Sequence, residues 1–133
     1  MILSKNTRAL HAAEDVANGI RNNLKLALVA NLPINTIAKK HGLIFFPSEE
    51  YASRFELGLK LADYYNLSER EHFARCLLCP LYLLEPIINR GVATGEKWIF
   101  GLCNKRRSHT LEELSRIFAV PVSVIRRQCE MLL

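Results

Sequence analysis

The sequence predicts a mainly α-helical fold, a compact helical domain with an α+β remnant in the form of one short strand or a small vestigial sheet. Three observations predict it. Apolar residues recur at three- and four-residue steps along most of the chain, which is the spacing of one face of a helix. Only one short apolar run, residues 43 to 46, is typical of a buried strand. The length of 133 residues, with 50% of them apolar and 23% charged, is that of one globular domain.

The predicted core, residues 1–103 of a single domain spanning 1–133, begins with two helices and the strand. A long amphipathic helix is expected over residues 7 to 29, because its apolar residues form one stripe. The members of that stripe are Leu10, Ala13, Ala17, Ile20, Leu24, Ala27 and Leu28. A second helix is predicted between Pro33, which suits a first helical turn, and Gly42, which suits the left-handed position that follows a helix.

The rest of the core is predicted to hold three more helices. The first begins near Pro47 and Ser48, which precede acidic residues in its first turn, and ends before Asn66. Its buried face is expected to be Tyr51, Phe55, Leu59 and Ala62. Pro80 ends the following helix or starts the one after it, whereas residues 91 to 103 show no clear pattern.

The C-terminal segment, residues 104–133, is predicted to close the domain with two helices joined by a tight turn at Ala119 to Pro121. Residues 102 to 133 carry six basic and three acidic side chains, so the net charge of +5 lies mostly here. A solvated surface or an anionic partner explains such an excess.

The order and spacing of these elements resemble the ImmA/IrrE family of small gluzincin-like metallopeptidases, whose members cleave transcriptional repressors, often those of mobile elements. The family's first helix and strand resemble "LPINTIAKKHGLIFF", and its signature "FAxxLLMP" resembles "FARCLLCP". The helical pair that closes the family's domain is similar to "TLEELSRIFAVPVSVIRRQCEML". The resemblance covers roughly residues 10 to 133 and implies a gluzincin-like scaffold closed by a helix-turn-helix-like pair.

The zinc-binding helix of that family is degenerate in this sequence. In the family it reads approximately "RFTLAHELGHYL", where two histidines share a zinc ion and the glutamate between them activates water. The resemblance aligns it with "RFELGLKLADYY", so that Leu59 and Asp63 occupy the histidine positions and Lys60 the glutamate position. The third ligand would be Glu69 or Glu71, and the spacing suits neither. We therefore expect a pseudoenzyme without zinc, general base or other cofactor.

The expected function is binding, because the substrate-binding edge of the family also has no counterpart here. Phe46 runs almost directly into the next helix, where the family has further strands on which an extended peptide would lie. We expect a regulatory or adaptor module that recognises a protein partner. A repressor-type transcription factor is the partner class that the resemblance indicates.

His72, Cys76 and Cys79 share one side of a predicted helix, at positions i, i+4 and i+7. Such a group can hold a soft metal ion if a fourth ligand, Cys103 or His109, joins it. The spacing is not a usual zinc motif, however, and we expect buried, reduced thiols that pack as small apolar groups.

DNA binding is the alternative prediction, from a different class of function. A helix-turn-helix core matches the pattern of Leu114, Ile117, Val120 and Ile125. The residues expected to contact DNA are Lys105, Arg106, Arg107, Ser123, Arg126 and Arg127. Ala119 stands where such turns usually carry glycine, and a left-handed backbone there would be strained. A DNA-binding protein of this kind is expected to be a homodimer.

The expected location is cytoplasmic, without membrane association. No stretch reaches the roughly 18 uninterrupted apolar residues that spanning a bilayer requires. The first 20 residues also lack the apolar run of a signal peptide.

Overall fold

The architecture is helical throughout the residues that the computed structural model describes, which are 5–43, 50–89 and 110–132. The helices are α1 (Lys5–Asn23), α2 (Ile34–Lys40), α3 (Tyr51–Tyr64), α4 (Arg70–Leu78), α5 (Leu81–Asn89), α6 (Leu111–Phe118) and α7 (Val122–Leu132). No strand occurs in these ranges, and the prediction of a mainly helical fold is confirmed. The predicted strand falls outside the described residues except for Leu43, which has no regular structure.

Helix α4 lies at the centre of the fold, packed against both α1 and α3. Six of its nine residues are buried, namely His72, Phe73, Ala74, Cys76, Leu77 and Leu78. Burial of each large apolar side chain among them contributes about 1.5–3 kcal/mol. Pro80 separates α4 from α5, where the sequence predicts a boundary, and its carbonyl oxygen accepts hydrogen bonds from the first turn of α5.

The buried face of α3 differs from the predicted one. Of the four residues expected there, only Ala62 is buried, and the actual face is Arg54, Leu57, Gly58, Leu61 and Ala62. The shift follows from a close contact between Gly58 and α4. A Cβ atom on Gly58 would lie 2.9 Å from the Cβ of Ala74, so only glycine lets the two helices approach this closely. The helix also starts later than predicted, at Tyr51, with Glu50 as its N-cap residue rather than in its first turn.

Helix α1 ends at Asn23, six residues before the predicted end at residue 29. Lys25 adopts a left-handed conformation with φ of 59°, and the side chain of Leu28, expected on the apolar stripe, is 83% exposed. A buried arginine explains the early end. Arg21 donates hydrogen bonds to the carbonyl oxygens of Leu26 at 3.1 Å and Val29 at 2.6 Å, which a continued helix would not present to it.

The two C-terminal helices are separated by residues 119 to 121, at the predicted turn. Thr110 caps α6 by accepting a hydrogen bond from the backbone N–H of Glu113. Ala119 has φ of 55° and ψ of 52°, the left-handed conformation that its position predicts. Three of the four residues predicted to form the core of this helical pair, Leu114, Val120 and Ile125, are buried. Ile117 is 37% exposed instead, and Phe118 fills the buried position beside it.

None of the described helices combines the length and apolar composition needed to cross a bilayer. At 1.5 Å per residue, the nine residues of α5 reach less than half of a hydrocarbon core of about 30 Å. The longest helix, α1, has 19 residues, and charged and amide side chains occur along its whole length.

Candidate functional site

The three residues at the zinc-helix positions lie on α3 without forming a ligand group. Leu59 is half-buried, whereas Lys60 and Asp63 are exposed. The carboxylate of Asp63 lies 2.6 Å from the guanidinium of Arg70, at the start of α4. Asp63 therefore has a structural partner in a surface ion pair, and these positions offer no set of metal donors within the described part of the chain.

Glu69 and Glu71, the two sequence candidates for a third ligand, lie at the start of α4. Glu69 is the N-cap residue of that helix. Glu71 is exposed and lies 3.9 Å from Arg75, one turn further along α4. Neither carboxylate belongs to a group of metal-ligating side chains within the ranges 5–43, 50–89 and 110–132.

His72 and Cys76 lie together on α4, but Cys79 does not join them. Helix α4 ends at Leu78, and Cys79 follows as its C-cap residue with non-helical backbone angles, φ of −140° and ψ of 71°. The third member of the group is Glu14 of α1. Its Oε1 accepts a hydrogen bond of 2.9 Å from Nε2 of His72, and Sγ of Cys76 lies 3.6 Å from the same nitrogen. The candidate trio of His72, Cys76 and Cys79 therefore does not come together among the described residues, and Cys103 and His109 lie outside them.

The three described cysteines are free and buried, as predicted. Burial raises the pKa of the Cys76 thiol to about 12, with the Glu14 charge acting in the same direction and Arg75 and Gln128 opposing it. Burial likewise raises the pKa of Cys129 to about 12, and it raises that of Cys79 as well. These sulfurs are therefore protonated thiols at neutral pH, which makes them poor nucleophiles.

An open groove of about 470 Å³ lies between α2, α3 and the turn that follows α6. Its lining includes Asn31, Thr36, Tyr51, Arg54, Arg116 and Ala119. We call this surface the polar groove. Arg116 is exposed on α6, while Arg54 is only 7% exposed. The polar groove thus combines two positive charges with hydroxyl and amide groups.

Arg54 is held rigidly beneath the polar groove. Its Nε donates a hydrogen bond of 2.8 Å to the carbonyl oxygen of Ala119, and its Nη2 donates one of 2.7 Å to that of Leu32. Both acceptors are backbone atoms in turns, where carbonyl groups are not committed to a helix. The Arg54 guanidinium is therefore committed to the fold, and Arg116 is the exposed positive charge of the polar groove.

Sequence reasoning missed the buried, hydrogen-bonded roles of Arg21 and Arg54, and it missed the contact of the partly exposed Glu14 with His72. The sequence does carry a signal for the buried position of Arg54. Arg54 lies three, four and seven residues before Leu57, Gly58 and Leu61, which places it on their face of the helix. A charge inside an apolar stripe indicates a buried, hydrogen-bonded group, since an unpaired charge there would be costly. Nothing local to Glu14 indicates its partner, because His72 is 58 positions away.

The residues predicted to contact DNA fall into two groups. Ser123, Arg126 and Arg127 are exposed on α7. Arg127 forms an ion pair of 3.3 Å with Glu130, one turn further along the same exposed face. The basic run Lys105, Arg106 and Arg107 lies outside the described residues.

Comparison of the chain with models of protein families, with curated proteins and with solved structures gives no match.

Proposed function

We propose that the chain is a non-catalytic regulatory or adaptor module that binds a protein partner in the cytosol through the polar groove. The observation that carries the proposal is the groove itself, with Arg54 fixed at its base and Arg116 on its rim. The resemblance of the sequence to the ImmA/IrrE family gives the partner class, a repressor-type transcription factor. Binding alone would sequester or stabilise such a partner.

The chemistry of the polar groove supports a protein ligand with acidic character. Arg116 supplies an exposed positive charge, and its guanidinium group matches a carboxylate in shape and charge. Thr36, Asn31 and Tyr51 add donors and acceptors suited to a peptide backbone. A volume of about 470 Å³ takes a few side chains, which is enough for the anchoring part of a larger interface.

The described residues also support the absence of peptidase chemistry as part of the proposal. The α3 positions that hold zinc in the resembling family carry Leu59, Lys60 and Asp63, and the carboxylate of Asp63 pairs with Arg70. A leucine offers no lone pair, and a charged lysine cannot accept a proton from water. The described thiols are no substitute, because burial keeps them protonated.

The proposal is tested by co-purification from nuclease-treated extracts of the source organism. The tagged wild-type chain is compared with Arg116→Glu, which reverses the rim charge, and with Arg8→Glu, the same change at an exposed site on α1. We expect one protein to be retained by the wild type and by Arg8→Glu and to be lost from Arg116→Glu. Equal retention by all three chains contradicts the role of the polar groove.

A second function, DNA binding as a homodimer, is favoured by one specific observation. Ser123, Arg126 and Arg127 are exposed together on α7, the second helix of a pair whose inner face is buried. An arginine on such a helix can reach guanine or phosphate groups. The ion pair between Arg127 and Glu130 is exposed, so it reduces the availability of Arg127 to DNA only slightly.

Fluorescence anisotropy with a labelled duplex of mixed sequence separates the two functions. The DNA-binding function predicts affinity that falls steeply with salt and is lost in the Arg126→Ala/Arg127→Ala double variant. The adaptor function predicts no salt-dependent binding. The matched control is an Arg8→Ala/Lys39→Ala variant, which removes two exposed cations from α1 and α2.

A further inference from the structure

A second cavity, of about 170 Å³, lies beside the group formed by Glu14, His72 and Cys76. Glu14 and Cys76 both line it, together with Asn18, which follows Glu14 by one turn of α1. The cavity shares no lining residue with the polar groove. The group therefore has direct access to a space large enough for water.

The nitrogen and sulfur donors have the separation that a tetrahedral metal site requires, and the carboxylate oxygen lies close to both. All three lie within 4.8 Å of one another. With metal–nitrogen and metal–sulfur bonds of about 2.0 and 2.3 Å, the two ligand atoms lie roughly 3.6 Å apart. The distance from Nε2 of His72 to Sγ of Cys76 is 3.6 Å. The same geometry puts a nitrogen and an oxygen ligand roughly 3.3 Å apart. Oε1 of Glu14 lies 2.9 Å from Nε2 of His72, so the carboxylate would have to move away from the ring slightly.

Two features of the protein make the small movement of Glu14 easy and hold the other ligands still. The side chain of Glu14 is 34% exposed, whereas that of His72 is only 2% exposed. His72 and Cys76 are four residues apart on one helix, so the backbone of α4 fixes their relative position. A rigid pair on one helix with a more mobile carboxylate from another is a common way to build a metal site.

We propose that Glu14, His72 and Cys76 bind one divalent cation of the zinc class, with a water molecule in the cavity as the fourth ligand. A nitrogen, a sulfur and an oxygen donor form a set that suits Zn²⁺ or Co²⁺ and that Mg²⁺ and Ca²⁺ disfavour. The charges also balance, because one thiolate and one carboxylate neutralise the ion.

Binding requires a defined rearrangement of protons. A carboxylate accepts hydrogen bonds, so Nε2 of His72 carries a proton in the metal-free protein. On binding, that proton moves to Nδ1, the Cys76 thiol releases its proton to solvent, and each donor atom gives an electron pair to the ion. In the metal-free protein, the N–H of the His72 ring is instead paired with the Glu14 carboxylate.

The site joins α1 to α4, the helix at the centre of the fold. A ligand that binds only the folded state raises the stability of that state. Metal binding is therefore expected to raise the melting temperature. This proposal does not rest on the proposed function, and it differs from the zinc chemistry of the resembling family, which would use α3.

The test is a titration of the full, reduced, chelator-treated chain with Co²⁺, followed by competition with Zn²⁺. We expect binding of one ion per chain, a thiolate-to-cobalt charge-transfer absorption, and loss of that absorption when Zn²⁺ is added. Cys76→Ser should abolish the absorption, whereas Cys129→Ser, at another buried thiol, should keep it. No stoichiometric binding, or an absorption that survives Cys76→Ser, overturns the proposal.

A milder variant guards against misfolding of Cys76→Ser. Glu14→Gln changes a partly exposed side chain, and it should weaken Co²⁺ binding by at least about tenfold and abolish the rise in melting temperature. Asp15→Asn, at the exposed neighbouring position, should leave both unchanged. Equal losses of Co²⁺ affinity in the two variants would show a general effect of negative charge and would overturn the proposed site.

Discussion

The guanidinium of Arg54 and the carbonyl oxygen of Ala119 are joined by a buried hydrogen bond of 2.8 Å, across 65 positions of sequence. Arg54 belongs to α3, and Ala119 is the left-handed residue that ends α6. The same guanidinium also binds the carbonyl oxygen of Leu32, just before α2. One side chain therefore holds together the three parts of the chain that form the polar groove.

Replacing Arg54 by methionine should destabilise the protein by about 2–4 kcal/mol, because the carbonyl of Ala119 loses its side-chain donor and that of Leu32 keeps only the backbone N–H of Ile34. Urea denaturation measures the change. Arg116→Met, in the same groove but exposed, should change stability by less than about 0.5 kcal/mol. Equal losses in the two variants would contradict a structural role for Arg54.

Replacing Gly58 by alanine should destabilise the protein by about 1–3 kcal/mol, because the new methyl group would meet the Cβ of Ala74 at 2.9 Å. The matched change Gly19→Ala, where nothing lies within 4 Å, should stabilise α1 by about 0.5–1 kcal/mol. Thermal or urea unfolding of both variants checks the pair. Opposite signs are expected, and a neutral Gly58→Ala would mean that α3 and α4 are less closely packed.

Replacing Lys25 by glycine should stabilise the protein by about 1 kcal/mol, since its φ of 59° is a conformation that glycine adopts without strain. Lys25 is exposed, so the change removes no buried contact. Lys39→Gly makes the same substitution inside α2 and should cost about 1 kcal/mol. Chemical denaturation of the two variants should therefore give shifts of opposite sign.

The stability of the protein should fall as pH rises above about 9. Burial raises the pKa of Cys129 from its ordinary value of 9.0 to about 12, so the folded state keeps a proton that the unfolded state loses. The stabilising effect is complete below pH 9 and disappears between the two pKa values. In that window, Cys129→Ala should lose stability less steeply than the wild type, by at most about 1.4 kcal/mol per pH unit. Urea titrations at several alkaline pH values measure both slopes, and parallel curves would contradict the assignment.

Local patterns were sufficient to predict the helices and several of their boundaries. Proline positions located the break at Pro80 and the turn before α7, because proline lacks the N–H that a helix interior needs. The buried face of α3 was predicted one position away, since Leu59 has the hydrophobicity of a core residue while Gly58 has the size that the contact with Ala74 demands. Size matching between two helices is a tertiary property, and periodicity alone does not contain it.

The candidate sites were less predictable than the fold because their parts are distant in sequence. His72 and Cys76 were identified from their helical spacing, but Glu14 joins them only when α1 packs on α4. The helical spacing also includes Cys79, although α4 ends one residue before it. The polar groove likewise forms only where α2, α3 and the turn after α6 meet. A sequence pattern identifies such residues one at a time and does not show that they are neighbours.

Site-specific photo-crosslinking in living cells shows directly whether a partner protein binds at the polar groove. A photoreactive residue is placed at Thr36 or Arg116 in the groove, and at the exposed Ala12 of α1 as the control. Binding of a repressor-type transcription factor at the polar groove predicts a covalent adduct with that same protein from both groove positions and none from position 12. No protein adduct from the groove, or equal adducts from all three positions, would contradict it.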